Sequence, residues 1–192
     1  PTTISAAMGP FGYNEALKVF RKYYQFGLIE AGLGVSLAAH VAAGVALRAR
    51  RPSVEVPWYT TAQRWSGIIL SALVPVHAFA TRGLTLLGKQ KASEYDHIRS
   101  TMVGKPALFF VPYYMILVGS GIYHTISGLS LILTRLGYSP FSHSKLSEKG
   151  VIAGISAVVT AAAYAGIFAF ATKEGIPENF KYWRSHLPPA LQ

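Results

Sequence analysis

The segment PALFFVPYYMILVGSGIYHTISGLSLILTRL, residues 106–136, decides the fold. It holds a single charged side chain, Arg135, which lies next to its last residue. At about 1.5 Å per residue in a helix, the stretch is longer than the roughly 30 Å hydrocarbon core of a bilayer. Pro106 suits the first turn of a helix and Gly137 suits its end. We therefore predict a transmembrane helix, with Pro112 tolerated in its first turns.

Three further stretches are apolar over a comparable length, and they cover residues 23–50, 60–83 and 149–172. Of the 192 residues, 51% are hydrophobic and only 14% are charged, whereas a soluble domain has about a quarter charged residues. The segments between the apolar stretches are too short to fold alone. We predict an all-α fold: an integral membrane bundle of four transmembrane helices in a single domain.

Outside the four spans, the sequence predicts short helices and polar segments. Residues 1–22 are predicted to be an N-terminal segment with a juxtamembrane helix, capped by Asn14 and basic toward Lys22. Residues 23–172 form the four-helix transmembrane domain, and residues 173–192 form a polar C-terminal tail. Pro75 is expected to kink the second span. The polar connection over residues 84–105 is predicted to carry a short helix.

Charge and cysteine content exclude several kinds of function. The net charge is +10, but the basic residues lie at the ends of the predicted helices, where they anchor spans to headgroups. No basic stripe with interleaved aromatic residues occurs, so the expected partner is the lipid bilayer and not nucleic acid. The chain has no cysteine. Disulfides, thiolate metal sites and covalently attached haem are therefore excluded, and histidine remains the strong nitrogen ligand.

Two histidines within predicted spans share one sequence setting. Each has a serine one turn before it and a glycine one turn after it: Ser36, His40 and Gly44 in the first span, and Ser120, His124 and Gly128 in the third. Residues four apart stack on one helical face, so these small residues clear space beside the histidine. Both spans run in the same direction, and the two histidines lie within roughly one turn of each other in depth. The pattern predicts haem b held between His40 and His124.

A packing interpretation is the alternative for every membrane histidine. Histidines hydrogen-bond neighbouring helices, and small residues four apart are common where helices pack. We favour packing for His77 in the second span, because it is expected to lie roughly 8–10 Å deeper than the other two. It remains a reserve ligand. Glu30 in the first span is expected to be a buried hydrogen-bond partner or to face a water-filled crevice.

The second span opens with a hydroxyl and a guanidinium on one face, from Thr60 and Arg64. Such a pair can bind a quinone carbonyl or a haem propionate. The alternative is an arginine that reaches outward to lipid headgroups. Arg48 and Arg135, at the ends of the first and third spans, are further candidates for the propionates.

Short motifs in three spans resemble the membrane anchor of succinate dehydrogenase. The string YHTISG (123–128) is similar to the haem-ligand motif of its cytochrome b subunit. TTAQRWSG (60–67) is similar to that family's signature in which a hydroxyl and an arginine face quinone, and HVAAG (40–44) resembles the ligand motif of the smaller partner subunit. One chain thus combines pieces that the enzyme divides between two.

That layout resembles the transmembrane domain of fungal mitochondrial adapter proteins that recruit a lipid-transfer protein to mitochondria. The resemblance covers about residues 23–137 and implies a haem-bearing membrane bundle. In two respects the chain departs from these families. Phe168 stands in the fourth span where a counterpart of His77 would be, and the proline- and histidine-containing lead-in of the large anchor subunit is missing.

The resemblance implies a multi-pass protein of a mitochondrial membrane, the inner membrane being favoured over the outer. We expect haem b and ubiquinone as ligands, and other subunits of a mitochondrial membrane complex as partners. No stand-alone active site is expected; the chain would be a membrane anchor or electron-transfer cytochrome of the succinate dehydrogenase type. The alternative is a non-catalytic adapter or accessory subunit, whose basic loops and residues 179–192 bind a partner.

Overall fold

The computed structural model describes residues 9–50, 56–89, 95–138 and 148–172. Within these ranges the helices, in chain order, are α1 (Gly9–Tyr24), α2 (Gly27–Ala49), α3 (Trp58–Ala78), α4 (Tyr95–Thr101), α5 (Ala107–Arg135) and α6 (Glu148–Thr172). α3 continues into a π-helical turn, Phe79–Gly83, and a last α-helical turn, Leu84–Leu86. No strand occurs in the described ranges, which confirms the predicted all-α fold.

Four helices are long and apolar enough to cross a membrane: α2, α3 with its continuation, α5 and α6. This confirms a multi-pass membrane bundle with four spans. α3 and α5 are antiparallel, because Gln63 near the start of α3 meets His124 late in α5, whereas His77 late in α3 meets Tyr113 early in α5. We call the end of the bundle that holds the C-terminus of α5 the Arg135 end. The opposite face, which holds α1 and α4, is called the Tyr95 end.

The first span begins later than predicted. A turn at Gln25 and Phe26 separates α1 from α2, and Phe26 has an extended backbone with φ −68° and ψ 124°. The N–H of Gln25 still donates to the carbonyl of Arg21 at 3.0 Å. The span therefore starts at Gly27 and not at the predicted Tyr23, and α1, which lies where a juxtamembrane helix was predicted, packs across the Tyr95 end.

Asn14 caps a different helix from the one predicted. α1 already begins at Gly9, so Asn14 lies inside it. The side-chain Oδ1 of Asn14 accepts a hydrogen bond from the backbone N–H of Tyr95 at 3.0 Å. That N–H is one of the first in α4, where no helical carbonyl is available to it. Asn14 thus stabilises the start of α4 from a neighbouring helix, and the predicted short helix in the 84–105 connection is confirmed.

The second span departs from α-helical geometry after Pro75 and not at it. α-Helical structure continues through Pro75 to Ala78, and the wide π turn follows. The hydroxyl of Thr81 donates to the carbonyl of His77 at 2.7 Å. Such back-bonding competes with the regular i to i−4 hydrogen bond and favours a locally widened helix. The span therefore runs on to Leu86, three residues beyond its predicted end at Gly83.

α5 is the central helix and packs against α3 on one side and α6 on the other. Tyr164 of α6 donates its hydroxyl to the carbonyl of Met115 at 2.9 Å. A Cβ at Gly119 would lie 2.5 Å from that hydroxyl oxygen, so the close approach requires glycine. Hydrogen bonds of this kind hold membrane helices together where apolar burial gives no advantage over lipid.

The described residues form one hydrophobic cluster, at the Tyr95 end. Its buried members come from α1, α4, the turn after α4 and the last turns of α6: Tyr13, Leu17, Tyr95, Met102, Ile167 and Phe170. The ring of Phe170 lies 4.8 Å from that of Tyr95 and 5.3 Å from that of Tyr13, centroid to centroid. Aromatic contacts of this kind add to area burial. This end of the bundle is therefore packed like the interior of a soluble protein.

Candidate functional site

The structure brings His40 of α2 and His124 of α5 together. Their ring centroids lie 6.0 Å apart, and the ring planes are nearly perpendicular at 88°. α2 ends at Ala49 and α5 ends at Arg135, nine and eleven residues beyond the two histidines. A difference of two residues corresponds to about 3 Å of helical rise. The two rings therefore lie at one depth in the membrane.

Hydrogen bonds of His124 determine which of its ring nitrogens is available. The Oγ of Ser66 lies 3.2 Å from Nδ1 of His124. The same hydroxyl donates to the carbonyl of Gln63 at 2.9 Å, so its oxygen accepts a hydrogen bond from Nδ1–H of His124. The lone pair then resides on Nε2, which is left to act as a ligand. Ser66 is only 6% exposed, so water does not compete for this contact.

A glycine on α3 makes room for the same ring. A Cβ at Gly67 would lie 2.9 Å from Cε1 and 3.4 Å from Nδ1 of His124. Any larger residue would push the imidazole away from Ser66. Ser66 and Gly67 are adjacent in the sequence, and together they set the position and the tautomer of His124.

Gln63 connects α3 and α5 beside this histidine. Its Nε2 donates to the backbone carbonyl of His124 at 3.2 Å. The hydroxyl of Ser127 contacts both Oε1 of Gln63 and the carbonyl of Tyr123. A Cβ at Gly128 would lie 3.3 Å from Nε2 of Gln63. The space at Gly128 is therefore occupied by Gln63, which links the two helices. It is not the clearance for a porphyrin that the sequence predicted.

On the α2 side, the space beside the histidine is open. A Cβ at Gly44 would meet no atom within 4 Å. Ser36, His40 and Gly44 are all exposed, and no residue of α2 is buried. Ser120, one turn before the histidine of α5, is half-buried. The predicted clearance is thus present on one of the two helices.

The distance between the rings fits a metal held between two imidazoles. An imidazole nitrogen lies about 2 Å from a first-row metal, and the ring centre lies about 1 Å farther away. Two imidazoles on one iron thus place their ring centres roughly 6 Å apart, and the structure has 6.0 Å. Among the described residues, no group of three or more histidine, cysteine, aspartate or glutamate side chains gathers to hold a metal ion. A pair of protein ligands suits haem, whose pyrrole nitrogens supply the other donors.

The predicted propionate and quinone residues lie toward the Arg135 end. Arg64 is nearest in depth, because it precedes Ser66 by two residues, about 3 Å of rise. It is half-buried, as is Thr60 one turn before it. Arg48 and Arg135 are exposed, and they lie about 12 Å and 16 Å along their helices from the histidines. Arg64 is therefore the best placed of the three arginines.

His77 lies well away from the paired histidines. Its ring centroid is 6.3 Å from that of Tyr113 and 6.1 Å from that of Tyr114. Eleven residues of α3 separate it from Ser66, which corresponds to about 16 Å. The structure does not bring His77 close enough to serve as a reserve ligand, and it packs between α3 and the start of α5.

Glu30 has a partner that the sequence reasoning missed. Nε and Nη2 of Arg82 donate to its two carboxylate oxygens at 2.6 and 2.8 Å. The side chains of Arg82 and Glu30 are 29% and 30% exposed, near the Tyr95 end of the spans. The pair connects α2 to the π-helical turn, ten residues before His40, about 15 Å along the helix. α2 is thus held to its neighbours at two separated points.

Four residues have roles that the sequence did not predict: Gln63, Ser66, Gly67 and Arg82. The motif TTAQRWSG (60–67) contains three of them, and spacings of three and four residues place them on adjoining faces of one helix. In comparisons with known proteins, no family model, no curated protein and no solved structure matches the chain. Function must therefore be argued from the site.

Proposed function

We propose that this chain is a membrane-embedded b-type cytochrome that holds one haem b between His40 and His124. The observation that carries the proposal is the pair of imidazole rings, 6.0 Å apart and nearly perpendicular, at one depth. The bond from Nδ1 of His124 to Ser66 supports it, because it leaves Nε2 as the metal-binding nitrogen.

Each residue of the site has a distinct task under this proposal. His40 and His124 would hold the haem iron through ring nitrogens, and Ser66 would keep the proton of His124 on Nδ1. The open space at Gly44 admits a flat ligand from the α2 side. Arg64, half-buried at nearly the same depth, neutralises a propionate. Bound haem supplies one-electron oxidation and reduction.

The cellular role is proposed from the resemblance to the succinate dehydrogenase anchor. The chain would reside in a mitochondrial membrane, the inner rather than the outer, and work as the anchor or electron-transfer subunit of a larger complex. Thr60 and Arg64 would offer a hydroxyl and a guanidinium to a ubiquinone carbonyl. Their position in the first turns of α3, at the Arg135 end, supports access from the membrane surface.

A reduced-minus-oxidised visible spectrum of the full chain in detergent tests the proposal. The wild type, expressed with sufficient haem, is expected to show a Soret band and a b-type α band. His40→Ala and His124→Ala are each expected to lose the low-spin spectrum or the haem itself. His77→Ala is the matched control, since it removes a membrane histidine far from the pair, and it should retain the spectrum.

Two outcomes would contradict the proposal. A wild type without a Soret band, even after addition of haem to the purified protein, would show that the histidines pack and do not ligate. That result would leave the non-catalytic adapter or accessory subunit as the function to pursue. A low-spin spectrum that survives in both single variants would show that the ligands are other residues.

A further inference from the structure

α1 and α4 form a layer across the Tyr95 end, outside the four spans. Tyr13 and Leu17 of α1 are buried against this end of the bundle, at 4% and 8% exposure. Val19 and Tyr23, on an adjoining face of the same helix, are 56% and 64% exposed. Basic residues of α1, including Lys18 and Lys22, are exposed as well. A helix with exposed apolar and basic faces beside transmembrane helices lies at the level of lipid headgroups.

Within this layer, Arg99 is a buried cation that makes no ion pair in the described part of the chain. The residue is 8% exposed, and its Nε has no hydrogen-bond partner there. The described ion pairs, Glu15 with Lys18 and Glu30 with Arg82, do not include it. Removing a guanidinium from water without an anion is strongly unfavourable. An anion that binds at this position would therefore stabilise the folded layer.

Tyr95 presents a second buried donor on the same face of α4. It precedes Arg99 by four residues and is 1% exposed, and its hydroxyl also lacks a partner among the described residues. Burial raises the pKa of Tyr95, so the hydroxyl keeps its proton and can donate. An arginine offers donors only, and a protonated tyrosine offers one. An anionic acceptor such as a phosphate oxygen would satisfy both donors.

The positive charge of the neighbouring segments favours a phosphate as that acceptor. Outside the spans, residues 9–26 and 87–106 carry seven lysines and arginines against three acidic residues. A basic surface of this kind attracts anionic lipids to the membrane beside it. Arginine binds phosphate oxygens in a planar, bidentate manner, which suits a headgroup phosphate better than a lysine would.

We propose that Arg99 and Tyr95 bind the phosphate of an anionic phospholipid, which occupies a fixed place between α4 and the bundle at the Tyr95 end. The site is distinct from the histidine pair, because α4 lies at the opposite end of α5 from Arg135. It stands whether or not haem binds. Its ligand joins the α1–α4 layer to the bundle and supplies the charge that Arg99 lacks.

The test compares thermal unfolding of the full chain in a neutral detergent before and after phosphatidylglycerol is added. The wild type is expected to gain several degrees in midpoint. Arg99→Gln is expected to match or exceed the wild type without lipid, because no buried charge remains, and to gain little when lipid is added. Its affinity for phosphatidylglycerol should fall about tenfold or more, the loss of a charge-assisted contact. Lys105→Gln, an exposed basic residue at the same end, is the matched control and should respond as the wild type does.

Further arms separate the sources of the anion. Tyr95→Phe removes one hydroxyl with little change of shape, and it should weaken the response to phosphatidylglycerol even if Arg99→Gln does not fold. Inorganic phosphate alone, at equal concentration, should give no comparable gain. An equal gain from inorganic phosphate would overturn the lipid assignment. An equal response to the lipid in the wild type, Arg99→Gln and Tyr95→Phe would also overturn it. A Glu174→Gln variant that behaves as Arg99→Gln does would overturn it as well, since the anion would then be a carboxylate of the chain.

Discussion

The two levels of this bundle are held together by different means. At the Tyr95 end, six side chains from four parts of the chain are buried together, with aromatic rings 4.8 to 5.8 Å apart. At the level of His40 and His124, hydrogen bonds from Gln63 and Ser66 join α3 to α5, and α2 has no buried residue. The packed end gains stability from its buried aromatic and apolar side chains. At the open level, the two histidines adjoin unfilled space beside α2. A ligand can enter this space.

The largest expected effect lies at the packed end. Phe170→Ala should lower the free energy of unfolding by about 3–5 kcal/mol, because it removes a ring that is 2% exposed and leaves a cavity. Phe168→Ala is the matched control, since Phe168 is 47% exposed, and it should cost less than about 1 kcal/mol. Reversible unfolding in mixed micelles measures both. Equal losses would show that the Tyr95 end is not packed as described.

The next effect tests the crowded side of the histidine pair against its open side. Gly67→Ala should destabilise the protein by about 1–3 kcal/mol, because its Cβ would lie 2.9 Å from the ring of His124. Gly44→Ala meets only open space and should change stability by less than about 0.5 kcal/mol. Stability should fall only in Gly67→Ala, whereas haem per chain should fall in both variants, because Gly44 borders the space that admits the ligand. An equal loss of stability in Gly44→Ala would place α2 closer to its neighbours.

A pH dependence is expected from the α4 layer. Burial lowers the pKa of His97 below its ordinary value of 6.5. The unfolded chain therefore binds its proton at a higher pH than the folded chain does. Stability from this residue is complete above pH 6.5 and is lost as the pH falls through the lowered pKa, by at most about 1.4 kcal/mol per pH unit. In His97→Gln, the unfolding midpoint should change less with pH between pH 7 and pH 5 than it does in the wild type. An unchanged slope would show that other groups cause the pH dependence.

The smallest effect on stability concerns the attachment of α2. Glu30→Gln breaks a bidentate pair whose side chains are about one-third exposed, so it should cost only about 0.2–1 kcal/mol. It should nevertheless raise the rate of haem loss, since α2 then loses its ion pair with the π-helical turn. Arg82→Gln and the double variant complete a cycle that isolates the pair. Unchanged haem loss in all three would show that the pair does not position α2.

The spans could be predicted because their signal is local. Length and apolar content alone specify a helix in lipid, since every backbone group must be satisfied within the segment. The depth match of His40 and His124 followed from counting residues along two parallel helices. The turn at Gln25 and Phe26 was not predicted, and the helix before it, α1, packs on α4, which lies far along the chain. Asn14 illustrates the same limit, since its partner lies 81 residues away in the chain.

The site was only partly predictable for a related reason. The small residues around both histidines form the same pattern in sequence, yet Gly128 accommodates Gln63 and Gly44 adjoins open space. Which glycine clears space depends on the helix that lies opposite, and the spacing within one span does not contain that information. The partner of Glu30 was missed because the π turn changes which residues of the second span share a face.

That π turn also has a meaning for the gene. A π turn contains one residue more than the α turn that it replaces, so the segment Phe79–Gly83 can be regarded as a one-codon insertion in an otherwise regular helix. In a regular α-helix an added residue would rotate everything after it by about 100°, and the wider π turn absorbs most of that rotation. Deleting one codon there would therefore restore a regular α-helix and leave the later residues on nearly the same faces. The widened turn thus allows the helix to carry one more residue and still present Arg82 to Glu30.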